Sequence, residues 1–135
     1  MSTPKTIEVV AAIIKGEGEN EGQFLISKRL KESALGHCWE FPGGKVEPGE
    51  TLEQCAIREC QEEIDVVVAP IRLVKDVTFD YPHGKFLLHF MLCRLVSGEP
   101  KPIFCREVKW VRAEDLKDYE FLPADVEVIQ EISDK

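Results

Sequence analysis

The 135-residue chain has no cysteine pair at zinc-ligand spacing, no excess of basic residues and no apolar run of membrane-spanning length. Each absence removes a class of function. The cysteines (Cys38, Cys55, Cys60, Cys93 and Cys105) are odd in number, and none belongs to a CxxC pair. Cys55 and Cys60 stand at i and i+5, about 140° apart around a helix, so they share no ligand-forming face. Zinc or a disulfide framework is not expected; small, reduced, mostly buried side chains are. With 17 Lys+Arg against 25 Asp+Glu the net charge is −8. Binding a nucleic-acid polymer requires a basic stripe that displaces counterions, so such a polymer is not the expected partner. No membrane partner is expected either. Met1–Thr6 is polar, and the apolar stretch Ile7–Ile14 is too short and β-rich for a signal peptide, so a cytoplasmic location is expected.

What is present is the composition of a folded domain, 44% hydrophobic and 31% charged. The length predicts one domain over residues 1–135, with a real core. The acidic charge leaves nucleotides open as ligands. An acidic site holds a polyphosphate when divalent cations lie between the two sets of negative charges.

Thr6–Lys15 reads as a buried strand, Gly16–Gly22 as a turn and Gln23–Lys28 as the antiparallel partner. Arg29–Trp39 reads as a loop leading into a Gly/Pro-rich turn at Glu40–Gly44. Thr51–Ile64 is the clearest helix, with Thr51 as its cap. Strands are predicted over Val66–Asp76, Val77–Tyr81, Phe86–Leu95 and Glu107–Val111, and a helical turn over Ala113–Asp118. Pro123 starts a last helix, Ala124–Ile132. Strands on both sides of a central helix predict an α+β fold with a mixed sheet between helices, or an α/β sandwich.

The chemistry concentrates in Arg58-Glu59-Cys60-Gln61-Glu62-Glu63-Ile64. Glu59, Glu62 and Glu63 occupy i, i+3 and i+4, so their carboxylates crowd one helix face. Ile57, Cys60 and Ile64 lie roughly 100–160° away and are expected to seat the helix on the sheet. Like charges at this spacing cost about 0.2–0.5 kcal/mol per pair, and the helix C-terminus disfavours them further. A hard cation such as Mg²⁺ or Mn²⁺ reverses that penalty. A solvated acidic surface explains the same residues until the preceding loop is considered. That loop, Glu40-Phe41-Pro42-Gly43-Gly44-Lys45-Val46-Glu47-Pro48-Gly49-Glu50, supplies glycines for close approach, a lysine for phosphate and two further carboxylates.

Together, Gly44-x5-Glu50-x7-Arg58-Glu59-Cys60-Gln61-Glu62-Glu63 resembles the Nudix box, G-x5-E-x7-R-E-U-x-E-E-x-G-U. The resemblance implies a Nudix α/β/α sandwich around a mixed sheet. It also implies that Glu59, Glu62, Glu63 and the Gly43 carbonyl hold divalent cations, Mg²⁺ or alternatively Mn²⁺, which bridge phosphate oxygens and activate water. Glu59 is then the candidate base, Glu62 and Arg58 complete the catalytic group, Glu50 supports it, and Glu47 is the expected partner of Arg58. One position departs from the motif, Asp65 standing where Gly is expected. Asp tolerates the left-handed conformation needed there, so a modest stability cost with intact metal ligation is expected.

The resemblance extends to the MutT-like branch through Leu25–Arg29, Trp39–Lys45, Gly98-Glu99-Pro100, Trp110 and Leu122–Asp125. That branch contains 8-oxo-dGTP diphosphatases and CTP pyrophosphohydrolases, which clear damaged or modified nucleotides. It implies nucleotide contacts for Arg29, Phe41, Lys45, Tyr81 and Asp125. A surface role for Arg29, core roles for Phe41 and Tyr81, and a helix-capping role for Asp125 are the plain alternatives. His83 and Lys85 lie on a turn near the expected cleft, with solvent exposure the default. MutT has an acidic metal-site residue in a later loop; the matching position here is Phe104, with Glu107 nearby as a substitute.

The expected reaction is hydrolysis of a nucleoside triphosphate, 8-oxo-dGTP or a cytosine-type substrate such as CTP or a modified dCTP, to the monophosphate and pyrophosphate. Hydrolysis of dinucleoside polyphosphates or a nucleotide sugar is a second enzymatic reading. A non-catalytic Nudix-fold nucleotide-binding regulator is the alternative of another class, but such proteins usually lose glutamates that this chain keeps.

Overall fold

A computed structural model describes residues 6–82 and 84–133. The central strand β1 (Ile7–Lys15) runs parallel to β6 (Gly84–Ser97) and antiparallel to β2 (Gln23–Lys28) and β4 (Gly43–Lys45). β6 pairs with β5 (Val67–Tyr81) in antiparallel, while β2 also carries β3 (Trp39–Glu40) and β7 (Glu107–Arg112). The described strands therefore form one mixed sheet.

The near-continuous apolar sequence of β1 follows from burial on both faces. Val10, Ala12 and Ile14 face one core together with Cys55, Ala56, Cys60 and Ile64 of the helix α1 (Leu52–Ile64). Ala11 and Ile13 face the other, with Phe90, Leu116, Val128 and Ile129. The latter two belong to α2 (Val126–Ser133), which a single turn at Pro123–Asp125 precedes. Helices thus cover both sides of the sheet, the α+β sandwich that the motif implies.

Thr51 caps α1 in a reciprocal box. Its Oγ1 accepts from the Gln54 N–H at 3.0 Å, and Gln54 Oε1 accepts from the Thr51 N–H at 2.9 Å. The helix seats on the i+4 row Leu52, Ala56, Cys60 and Ile64. Ile57 departs from the expected stripe. It lies about 100° from Ala56, at the margin of the contact, and remains 37% exposed. Asp65 ends the helix at φ 57° and ψ 44°, the left-handed conformation expected of the missing glycine.

Two further differences concern strands. Val66–Asp76 and Val77–Tyr81 are one edge strand, interrupted by register shifts that admit Pro70 without losing the pairing. The Gly/Pro-rich turn contains β3 and β4. Gly43 is needed because a Cβ there would overlap the Val10 carbonyl oxygen of β1. On β6, the buried His89 meets Asp76 Oδ1 through Nδ1 at 2.8 Å and Glu8 Oε1 through Nε2 at 3.0 Å. Burial works against its charge, but the two carboxylates outweigh burial and raise its pKa.

Candidate active site

The last turns of α1 and the β4 backbone form one acidic wall. Glu59, Glu62 and Glu63 line a groove of about 540 Å³ together with Gly43, Glu40 and Arg29. The two glycines let backbone and helix touch. A Cβ at Gly44 would overlap the Glu59 carboxylate, and the Gly43 N–H donates to Glu63 Oε2 at 3.1 Å. Glu62 is the most open of the three acids, with its side chain 58% exposed.

Arg58 organises this wall from behind. Its Nε and Nη2 donate to Glu50 at 2.7 and 2.9 Å, its Nη1 to Glu59 at 2.8 Å and to Glu62 at 3.2 Å, and its Nη2 to the Lys45 carbonyl at 3.0 Å. The expected partner Glu47 stands farther off, 3.6 Å from Nη1, on a largely exposed side chain. Glu50 is the main partner because the turn that brings its N–H to the Glu47 carbonyl at 3.0 Å aims its carboxylate at the fork. The Arg58 hydrogen bond holds the Glu50 carboxyl down at about 2, and Glu50 in turn raises the Arg58 pKa.

The groove acids have the opposite problem. Burial, then Glu40 and Glu59, push Glu63 up to about 9 against the opposing Gly43 N–H and Arg29. Burial also raises Glu59, with Arg58 opposing it. Crowded carboxylates short of compensating cations are a donor set that fits hard divalent ions, through oxygen ligands.

A second cavity, of about 320 Å³, adjoins the groove and shares Arg29, Glu40 and Gly43 with it. Arg29 Nη1 donates to Glu40 Oε1 at 2.7 Å, and its Nε donates to the Ala34 carbonyl at 2.9 Å. Lys45, Phe41 and Tyr81 line this cavity. Lys45 is exposed, whereas Phe41 is buried between Phe90 and Phe121 and offers only part of its ring. The Tyr81 hydroxyl accepts the Ala124 N–H at 3.1 Å. Asp125 is buried, 2% exposed, and its Oδ2 has no hydrogen-bond partner among the described residues. Burial raises its pKa well above the usual carboxylate range, and Glu40 adds to the effect.

Of the predicted catalytic, metal and substrate residues, all but Arg58 and Asp125 line one or both of two adjoining spaces; Arg58 stands behind the acidic wall and Asp125 is buried. Phe104 does stand on the groove wall, 67% exposed, its N–H donating to the Glu63 carbonyl at 3.0 Å. Glu107, the other acid considered, is exposed on β7 and is not among the residues lining that groove. Lys85 is exposed, and His83 lies outside the described residues. Sequence reasoning missed Glu40, the acid common to both cavities. Burial raises its pKa, opposed by Arg29. Its only signal was a charged residue between two aromatics in a turn-like segment.

The family model for the NUDIX domain matches residues 5–132. The chain is 36% identical to the 8-oxo-dGTP diphosphatase of Haemophilus influenzae, over 95% of this chain and 92% of that one. It is 31% identical to the CTP pyrophosphohydrolase of Escherichia coli, over 93% and 90%. The crystal structure of the MutT protein from Methanosarcina mazei superposes with a TM-score of 0.83 at 29% identity, covering 99% of this chain and 96% of that one. The chain belongs to the Nudix family. Within it, the resemblance is to MutT proteins and to diphosphatases of nucleoside triphosphates. No helix among the described residues is long and apolar enough to cross a membrane.

Proposed function

We propose that this protein is a single-domain, Mg²⁺-dependent nucleoside triphosphate pyrophosphohydrolase, with Mn²⁺ able to substitute. It releases a nucleoside monophosphate and pyrophosphate, and 8-oxo-dGTP is the leading substrate. The observation that carries this reading is the acidic groove adjoining a second cavity, the two sharing the Arg29–Glu40 pair in their walls. One space suits a metal-bound polyphosphate and the adjoining one suits a base and sugar.

Glu59, Glu62 and Glu63, with the Gly43 carbonyl, would hold the divalent cations. When bound, the metal neutralises phosphate charge and favours ionisation of water. Arg58 fixes Glu59 and Glu62, while Glu50 fixes Arg58. Glu59 takes the proton as the water oxygen bonds to phosphorus and the bond to the departing pyrophosphate breaks. Lys45 is exposed on the wall of the second cavity beside Gly43 and Gly44, a cation there for a phosphate, and Arg29 lines both cavities. Phe41 and Tyr81 offer aromatic surface to the base.

Asp125 bears on the choice of base. Burial favours its neutral carboxyl, which both donates and accepts, as an amide does. That dual character suits an oxidised guanine. CTP or a modified dCTP is the second reading, supported by the similarity to the Escherichia coli CTP pyrophosphohydrolase.

The test offers purified protein and Mg²⁺ a panel of 8-oxo-dGTP, dGTP, CTP, dCTP, 5-methyl-dCTP and diadenosine polyphosphates, and follows pyrophosphate release. Turnover of a triphosphate, abolished in Glu62→Gln, is expected. Turnover of the dinucleotides alone contradicts the assignment, and binding without any turnover makes the protein a regulator.

A further inference from the structure

We propose that His37, Cys38 and Glu120 form a second metal site, separate from the acidic groove, that takes a zinc-class cation. One ligand atom from each residue lies within 4.8 Å of those of the other two. His37 Nε2 and Glu120 Oε2 are already 3.4 Å apart. Nitrogen and oxygen ligands of tetrahedral zinc, each about 2.0–2.2 Å from the metal, stand roughly 3.3–3.5 Å from one another. Closing the remaining distance falls to His37 and Glu120, whose exposed side chains are free to adjust.

The backbone holds the third donor in place. Trp39 and Phe121 form a parallel bridge, with the Trp39 N–H donating to the Glu120 carbonyl at 2.8 Å and the Leu122 N–H to the Trp39 carbonyl at 3.2 Å. This pairing brings Cys38 and Glu120, one residue earlier on each strand, alongside each other. Cys38 is tied on its own account. Its N–H donates to the Leu35 carbonyl at 3.0 Å, and its carbonyl accepts from the Arg29 N–H at 3.1 Å.

An exposed His–Glu pair by itself contributes little to stability. The fixed thiol changes the chemistry of the cluster. Sulfur, imidazole and carboxylate together suit zinc, whereas Mg²⁺ selects the oxygen donors of the groove. Three protein ligands leave the fourth position to water. As the metal–sulfur bond forms, the Cys38 thiol proton leaves to solvent and no oxidation state changes. Considered alone, the cysteines gave no hint of this, because the cluster needs only one of them and its carboxylate lies far along the chain. An occupied site would tie the loop bearing Ala34 and Leu35 to the segment bearing Leu122, all three on the wall of the nucleotide cavity.

Titration of the full chain with Co²⁺ in saturating Mg²⁺ tests the site, because only a thiolate ligand gives a sulfur-to-cobalt charge-transfer band. One equivalent is expected to produce that band with tetrahedral ligand-field absorption, and Zn²⁺ is expected to displace it. Cys38→Ser should abolish the band, while His37→Gln and Glu120→Gln, on exposed side chains, should each weaken cobalt binding at least about tenfold. Absence of the band, its persistence in Cys38→Ser, or unchanged affinity in both His37→Gln and Glu120→Gln overturns the proposal. The last outcome marks a lone thiol adduct. None of these readouts depends on nucleotide turnover, so the site and the proposed activity fail independently.

Discussion

Arg58 grips Glu50 with two nitrogens, Nε at 2.7 Å and Nη2 at 2.9 Å, and spends a third on Glu59 at 2.8 Å. The pair is a fork against a carboxylate, a geometry that only a planar guanidinium supplies. Its neighbour on the groove, Glu59, is thus held by the same group that Glu50 immobilises.

Arg58→Lys keeps the charge and loses the fork. The expected result is a fall in kcat/KM of about 10–100-fold, the usual cost of losing a group that orients metal ligands. Steady-state kinetics on the preferred triphosphate checks it.

The two loop glycines should separate ligation from folding. Gly44→Ala pushes on the Glu59 carboxylate, the movable end of a side chain, so Mn²⁺ affinity should fall tenfold or more while thermal stability changes little. Gly43→Ala instead meets the Val10 backbone, so it should lower the melting temperature. Calorimetric metal titration and thermal unfolding on the same two variants check both halves.

Metal-free protein should lose stability as pH rises. Glu63 has a folded-state pKa of about 9 against an ordinary value of 4.5, so between them the native state keeps a proton that the unfolded state has released. Stability then falls with pH across that window. Glu40, Glu59 and Asp125 are raised too and act in the same direction. Glu50, held at about 2, acts oppositely, and its contribution is lost as pH falls below the ordinary carboxylate range. Unfolding curves between pH 5 and about 9 with a chelator should slope downward, and less steeply with Mg²⁺ or in Glu63→Gln, where Glu40, Glu59, Asp125 and the raised His89 still contribute.

Asp65 adopts a left-handed conformation that glycine reaches without steric cost, and its ion pair with Lys101 is exposed and long at 3.8 Å. Asp65→Gly should therefore stabilise the fold by about 0.5–1 kcal/mol, measured by urea unfolding. A loss of stability would assign Asp65 a contact that its geometry does not reveal.

What could be read from the sequence was what is local. Glu59, Glu62 and Glu63 share a face because helical spacing alone puts them there, and Thr51 caps because its neighbours are three residues away. Glu47, the expected partner of Arg58, does pair with it at 3.6 Å, but Glu50 is the closer partner at 2.7 Å: both acids precede the helix, and only the turn between them decides which one points inward. β3 and β4 were invisible because glycine-rich pairing depends on the strand opposite. Glu40 gained its place from Arg29 on another strand end. His89 is one polar residue in an apolar run, and its carboxylate partners come from β1 and β5, contacts that no local pattern encodes.

The most direct measurement is Mn²⁺ uptake by calorimetry in the presence of a non-hydrolysable nucleoside triphosphate. The wild-type chain is predicted to bind the ion with an affinity that falls sharply in Glu59→Gln and in Glu63→Gln. No uptake by the wild-type chain, or equal uptake by all three proteins, would contradict the assignment of these carboxylates to metal and, through metal, to phosphate.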